Sequence, residues 1–292
     1  MTAAREGSLG AAEVAARLAR HLPVATVTPL GSGLDHDAYE VDGTLIARFG
    51  REPDPGARAA AVVREAELLR LLATVCPVPV PPVRLVVPGE GCLVLGRLPG
   101  APLLDRSAAD RAACGPEVGA VLGTVLAALH ALPPARLNGV VEVDDVEPDV
   151  WHDEATETYE AVQGAIPADL RGGVERFLAE PPPPAPERRV LTHNDLGIEH
   201  VLVDDVRVTG IIDWSDAAVA DPAVDLGRIL RDLGRAALDR AVDACGAGDG
   251  EPLRTRALFY ARCTLLEDLA HGLQPGREQY AAKSLEALPW LF

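Results

Sequence analysis

The chain has 292 residues, enough for one large domain or for two lobes sharing a cleft, and 48% hydrophobic residues supply a sizeable core. Its 44 acidic residues outweigh 27 basic ones, a net charge of −17 that argues against nucleic acid as a partner and favours cationic ligands. Five cysteines, odd in number and without a C-x-x-C pair, point to free thiols in a reducing cytoplasm, and neither a signal peptide at Met1–Glu6 nor a bilayer-length apolar run is expected.

In chain order, the first predicted element is an amphipathic helix over Ala11–Leu22, with Val14, Leu18 and Leu22 at helical spacing. Three strands follow, Val24–Leu30, Ala38–Val41 and Leu45–Phe49, the last two joined by the hairpin signal Asp42-Gly43. A helix covers Ala57–Ala73, and the Pro/Val run Pro77–Pro82 is an extended connector. Strands Val83–Val87 and Cys92–Leu95 complete an N-terminal sheet of about five strands with one helix against it. Pro99-Gly100 breaks the pattern, and nearly everything beyond it reads as helix. Helices are predicted over Val118–Leu132, Glu157–Ala179, from Asp221-Pro222 to Leu233, Arg254–His271 and Arg277–Leu288, with a linker at Pro181–Pro186. The expected fold class is therefore α+β and bilobal: a sheet lobe over 1–96, a hinge at 97–100 and a mostly helical lobe over 101–292.

The richest chemistry lies in His193-Asn194-Asp195-Leu196-Gly197-Ile198-Glu199-His200 and Ile211-Ile212-Asp213-Trp214. His200 follows Asp195 by five residues and Asp213 follows it by eighteen, with apolar strand-like runs on either side. Kinases use such a pattern, one Asp receiving the acceptor's hydroxyl proton and later groups holding Mg²⁺ on the phosphates. A lone Asp here would be a turn or strand-end residue. Two at this spacing make Asp195 the candidate catalytic residue and Asp213 the candidate metal ligand. Because Mg²⁺ prefers oxygen, His200 either ligates the metal directly, holds a metal-bound water, or orients a carboxylate. His193 is expected to pin the loop through a backbone hydrogen bond, Asp221 to cap a helix, and Asp225 to pack against the loop.

Gly31-Ser32-Gly33 offers backbone N–H groups to phosphates, the nucleotide-binding reading of Gly31, Ser32 and Gly33. A Rossmann fingerprint is excluded because no third glycine follows. A Walker A loop is excluded because Lys283 is the only lysine. Ile46-Ala47-Arg48-Phe49 imitates the kinase V-A-I-K strand with Arg for Lys, so Arg48 and the helical Glu65 are the candidate strand–helix ion pair. Leu93–Gly100 would be the hinge, with the main chain at Arg97 and Leu98 reading the base of ATP or GTP. His130, closing a helix, is read as structural on helix-dipole grounds.

Together these residues resemble the aminoglycoside and macrolide phosphotransferases, the antibiotic-modifying branch of the kinase-like superfamily. Gly31–Asp37, Arg64-Glu65, Leu98-Pro99-Gly100, Leu129-His130, the catalytic loop and Asp213-Trp214-Ser215-Asp216…Asp221-Pro222…Asp225-Leu226 carry the resemblance, from about residue 10 to residue 230. Many members have Asn where this chain has His200, but the aminoglycoside 2″- and macrolide 2′-enzymes carry His. The resemblance thus implies that His200 can share the metal site, with Mg²⁺ and either ATP or GTP. It implies a hydroxyl of an antibiotic as acceptor, and the low aromatic content of 4% tilts the choice toward a cationic aminoglycoside or basic peptide over a macrolide. Glu199, Asp216, Glu267 and Asp268, with Asp153 and Glu154, are the candidate acidic substrate contacts. A metabolic kinase for choline, homoserine or a sugar and a nucleotide-binding pseudokinase are the competing readings.

Overall fold

The structure is a computed structural model and describes residues 9–33, 35–246 and 250–292. Leu34, within the Gly31–Asp37 stretch, and Met1–Glu6 lie outside the described residues. The chain forms two compact units, one running to Val75 and then from Pro79 to Pro99, the other made of Cys76–Val78 and Gly100–Phe292.

The first unit contains helix α1 (Ala11–Leu18), strands β1 (Val27–Ser32), β2 (His36–Val41) and β3 (Leu45–Gly50), helix α2 (Pro55–Leu72), and strands β4 (Val83–Val87) and β5 (Cys92–Gly96). The sheet order is β1-β2-β3-β5-β4, every pair antiparallel. Strand β2 alternates between half-buried and buried positions, the pattern of a sheet with one face on a core. That core joins Tyr39, Val41, Ala47, Phe49, Cys92 and Val94 to Val14 and Leu18 of α1. Helix α1 ends at Leu18, one turn before the predicted Leu22, which still packs on the core from the following turn. At the β2–β3 turn Asp42 and Gly43 both have positive φ, 52° and 68°, and the Asp42 carboxylate accepts from the N–H groups of Ala25 and Thr26 at 3.0 and 2.6 Å.

The second unit is less purely helical than its sequence suggests. It contains β6 (Ala101–Pro102), α3 (Ala108–His130), β7 (Glu142–Val143), α4 (Pro148–Val162), α5 (Ala168–Ala179), β8 (Val190–Thr192), β9 (Val201–Asp204), β10 (Arg207–Ile211), β11 (Ala218–Ala220), α6 (Ala223–Cys245), α7 (Glu251–Gly272) and α8 (Glu278–Leu291). Two small sheets, β10-β9-β6 and β7-β11-β8, frame the loop over 193–200. Strands β6, β7 and β11 are two or three residues long, too short to show a period. The predicted 157–179 helix is two helices, separated where Gly164 and Pro167 interrupt the backbone pattern. Helix α3 starts ten residues before the predicted Val118: the Ser107 hydroxyl caps it, accepting from the Asp110 N–H at 3.1 Å, and the helix runs on past Pro116.

By length and composition α3 could cross a bilayer, contrary to the sequence expectation. Its apolar residues Val118, Leu122, Leu126 and Leu129 are all buried, and α6 packs so closely on it that a Cβ at Gly119 or Gly123 would strike the backbone of Ala237 or Ala241. It is a core helix. Helix α6 itself extends beyond Leu233 to Cys245, through a break at Gly234 with φ 79° and ψ −178°, a conformation open essentially to glycine alone. All five cysteines are free, and burial pushes the Cys92 thiol up to about 12.

Candidate active site

The catalytic loop leaves β8 at Thr192 and re-enters β9 at Val201. Strands β9 and β10 form an antiparallel hairpin with Val201 opposite Ile211, and the Ile212 N–H continues the ladder to the His200 carbonyl at 2.9 Å. This register sets His200 and Asp213 side by side at the open end of the hairpin. His200 Nε2 lies 3.7 Å from Asp213 Oδ2, and its Nδ1 lies 2.8 Å from the Asp195 carbonyl and 3.5 Å from Asp195 Oδ2. Asp195, His200 and Asp213 thus converge in space as their spacing predicts.

The loop is held from behind. Asp225, fully buried near the start of α6, accepts from the N–H groups of His193 at 2.8 Å and Asn194 at 3.0 Å. Burial pushes its carboxyl up to about 6, and those two N–H groups pull against the rise. His193 Nε2 contacts the Ile212 carbonyl at 3.0 Å, and the ring lies against Trp214 with centroids 4.5 Å apart. Burial and the neighbouring His200 bring His193 down to about 4, so it is a neutral structural imidazole. Asn194 and Asp213 adopt left-handed backbone, φ 67° and 61°, which Asn and Asp tolerate better than other side chains.

Several participants have no obvious signal in the sequence. The Asn194 amide donates to Asp144 Oδ2 at 3.0 Å, a contact created by the parallel pairing of β7 with β11. Arg228 places NH1 3.0 Å from Asp195 Oδ1. Burial opposes charge on Asp195, but Arg228 and then the two histidines hold its carboxyl below the ordinary range. Arg228 lies three residues after Asp225, so helical spacing alone could have marked it.

The acidic candidates divide sharply. Glu199 and Asp268 each lie 2.9 Å from Lys283 Nζ, in a buried cluster with Asp232 and Arg231. Burial works against the Glu199 charge, and Lys283 overcomes it, holding the carboxyl below its usual value. Asp216, Glu267, Asp153 and Glu154 are exposed. In the first unit, Arg48 NH1 meets Glu65 Oε1 at 2.5 Å, the strand–helix pair expected from sequence, and Arg48 NH2 also meets His36 Nδ1 at 2.8 Å. Glu67 is exposed. The Gly33 N–H closes a turn onto the His36 carbonyl at 2.9 Å. Arg97 lies 3.2 Å from Glu40, its N–H bonds Thr44 O at 2.9 Å, and Leu98 is half-buried.

The Asp213 carboxylate suits a hard divalent cation shared with phosphate. Nδ1 of His200 faces a carbonyl acceptor, which assigns a ring proton there and leaves Nε2 on the side of the Asp213 carboxylate. Burial works against charge on this ring, but Asp195, Glu199 and Asp213 raise its pKa above the ordinary value. Among the described residues no three His, Cys, Asp or Glu side chains form a ready-made metal site. Mg²⁺ is characteristically held by one or two carboxylates and completes its shell with water and phosphate oxygens, so Asp213 fits it, while His200 Nε2 is a softer donor that would join the shell only on giving up its proton.

Comparison with known proteins agrees with this geometry. The family model described as "Phosphotransferase enzyme family" matches residues 26–260. Viomycin phosphotransferase from Streptomyces vinaceus is 30% identical over 206 residues, covering 62% of this chain and 68% of the relative. The apoenzyme structure of macrolide 2′-phosphotransferase MphH from Brachybacterium faecium is 30% identical with a TM-score of 0.62, covering 94% of this chain and 96% of that one. The GDP complex of aminoglycoside 2′-phosphotransferase-IIIa, 22% identical, shares the fold with a TM-score of 0.67 over 94% and 95% of the two chains. With its catalytic loop, hairpin and buried clamp all within or beside the matched span, the chain belongs to the phosphotransferase enzyme family.

Proposed function

We propose that the protein transfers the γ-phosphoryl group of ATP or GTP to a hydroxyl of a cationic antibiotic, most directly an aminoglycoside, so conferring resistance. The observation that carries this reading is the convergence of Asp195, His200 and Asp213 on a loop clamped by Asp225. In the reaction, Asp195 Oδ2 accepts a hydrogen bond from the acceptor hydroxyl. The hydroxyl oxygen bonds to the γ-phosphorus as the bond to the β,γ-bridging oxygen breaks. The nucleoside diphosphate leaves, and the hydroxyl proton passes to Asp195. Asp213 and His200 Nε2 would hold Mg²⁺, which when bound neutralises charge on the phosphate oxygens. Gly31, Ser32, Gly33, Arg48, Glu65, Arg97 and Leu98 are the nucleotide-side residues of the first unit in this reading.

For the acceptor, exposed Asp216 and Glu267 are the stronger candidates, because Glu199 and Asp268 already neutralise Lys283. The net charge of −17 supports a cationic acceptor. Two relatives at 30% identity carry viomycin and macrolides in their names, so both belong beside aminoglycosides as acceptors to be tried. The test is phosphate transfer by purified protein with ATP and GTP plus Mg²⁺ against aminoglycosides, viomycin, macrolides and small metabolites. Turnover on a cationic antibiotic supports the proposal, and turnover confined to choline-like or sugar metabolites overturns it.

A further inference from the structure

Helix α6 carries three charged residues on one face, Asp225, Arg228 and Asp232, at spacings of three and four. All three reach the catalytic loop, but not in the same way. Asp225 takes the N–H groups of His193 and Asn194, and Asp232 takes the N–H of Ile198 at 3.2 Å. These are backbone grips. Arg228, between them, contacts the carboxylate of Asp195 itself, with NH1 3.0 Å from Oδ1.

Stability is not the whole reason for this contact. Arg228 is 8% exposed and its Nε has no hydrogen-bond partner, an unmet donor that costs free energy. Burial disfavours the Arg228 charge, and Asp195, with Glu267 and Asp268, outweighs it. The pair does accomplish something geometric. With Oδ1 engaged, rotation of the carboxylate is restricted; Oδ2 lies 3.5 Å from His200 Nδ1, which is directed at the Asp195 carbonyl, and the Asp195 side chain keeps 29% of its surface.

We infer that Arg228 is a positioning residue that fixes the Asp195 carboxylate, committing Oδ1 to the protein and reserving Oδ2 for the acceptor hydroxyl. The inference rests on the phosphotransfer reading above. Arg228 touches no reacting atom and acts only through Asp195. Placement of a reacting group matters steeply, a misplacement of about 1 Å lowering rate on the order of 100-fold.

The test compares wild type, Arg228→Met and Arg228→Lys in the full chain, by steady-state phosphate transfer and by hydrogen exchange of peptides spanning residues 190–203. The expected result for Arg228→Met is a fall in kcat on the order of 100-fold. KM for the nucleotide stays within about twofold, and exchange in the loop is faster. Arg228→Lys, which keeps the charge without the fork, falls between. Wild-type kcat in folded Arg228→Met overturns the inference. Should Arg228→Met fail to fold, reduced kcat at unchanged nucleotide KM in Arg228→Lys supports it, and wild-type kcat there overturns it. Wild type that phosphorylates no acceptor removes the functional reading instead. The exchange measurement then still decides, because unchanged loop exchange in the variants contradicts a role in holding Asp195.

Discussion

At the scale of single residues, the site is a division of labour among carboxylates that differ only in surroundings. Asp195 is held ionised by Arg228 and the two histidines, whereas Asp225, spent on two backbone N–H groups, is pushed up to about 6 by burial. Asp213 faces His200 across 3.7 Å at the end of a hairpin. Replacing Asp213 with Ala is expected to abolish the Mg²⁺-dependent part of nucleotide binding while leaving metal-independent binding, as calorimetric titration with and without Mg²⁺ will show. Much of this site was legible in sequence because Asp195, His200 and Asp213 lie on one continuous stretch whose flanks alternate strand and turn. Asp144 was hidden, since it acts through parallel strand pairing that its position does not advertise, whereas Arg228 had a signal in its helical spacing from Asp225. For Glu199 and Asp268 a string of acidic letters does not reveal that Lys283 is folded in among them.

At the scale of elements, α6 is two devices joined at Gly234. Its first part presents Asp225, Arg228 and Asp232 to the loop, and its second part packs Ala237 and Ala241 against the glycines of α3. The break has φ 79° and ψ −178°, so Gly234→Ala is expected to cost about 1–3 kcal/mol in urea unfolding. Helix α8 contributes Lys283, buried with Glu199, Asp232 and Asp268 within 2.9 to 3.4 Å. Lys283→Met should destabilise by roughly 3–5 kcal/mol, because Glu199 loses its cation and Asp232 and Asp268 keep only Arg231. Elements were readable where a side-chain period ran long enough, as in β2 or α7. They were unreadable in β6, β7 and β11, where two or three residues pair only because distant chain arrives beside them.

At the scale of the whole molecule, the stability of the fold depends on pH through buried imidazoles. His130, at the C-terminal end of α3, is the structural imidazole that the sequence suggests, but the helix end does not decide its charge. Burial, aided by Arg188, instead lowers it to about 4, and its ring Nδ1 lies 3.5 Å from the Cys245 sulfur. Its folded value lies below the unfolded value of about 6.5, so the unfolded chain takes up the proton first. Stability is therefore whole above about 6.5 and falls as pH drops toward about 4, by up to about 3 kcal/mol from this residue. In thermal melts the Tm of wild type relative to His130→Leu should fall steadily as pH drops over that interval.

Whether this phosphotransferase works through Asp195 is decided by phosphate transfer from ATP and GTP to the antibiotic panel, wild type beside Asp195→Ala, with nucleotide affinity measured on both. Wild type is expected to transfer phosphate to a cationic antibiotic. The variant is expected to lose about 10²- to 10⁴-fold or more and still bind nucleotide. Equal turnover by the two proteins would contradict the role of Asp195, and a wild type that phosphorylates none of the acceptors would contradict the proposed function itself.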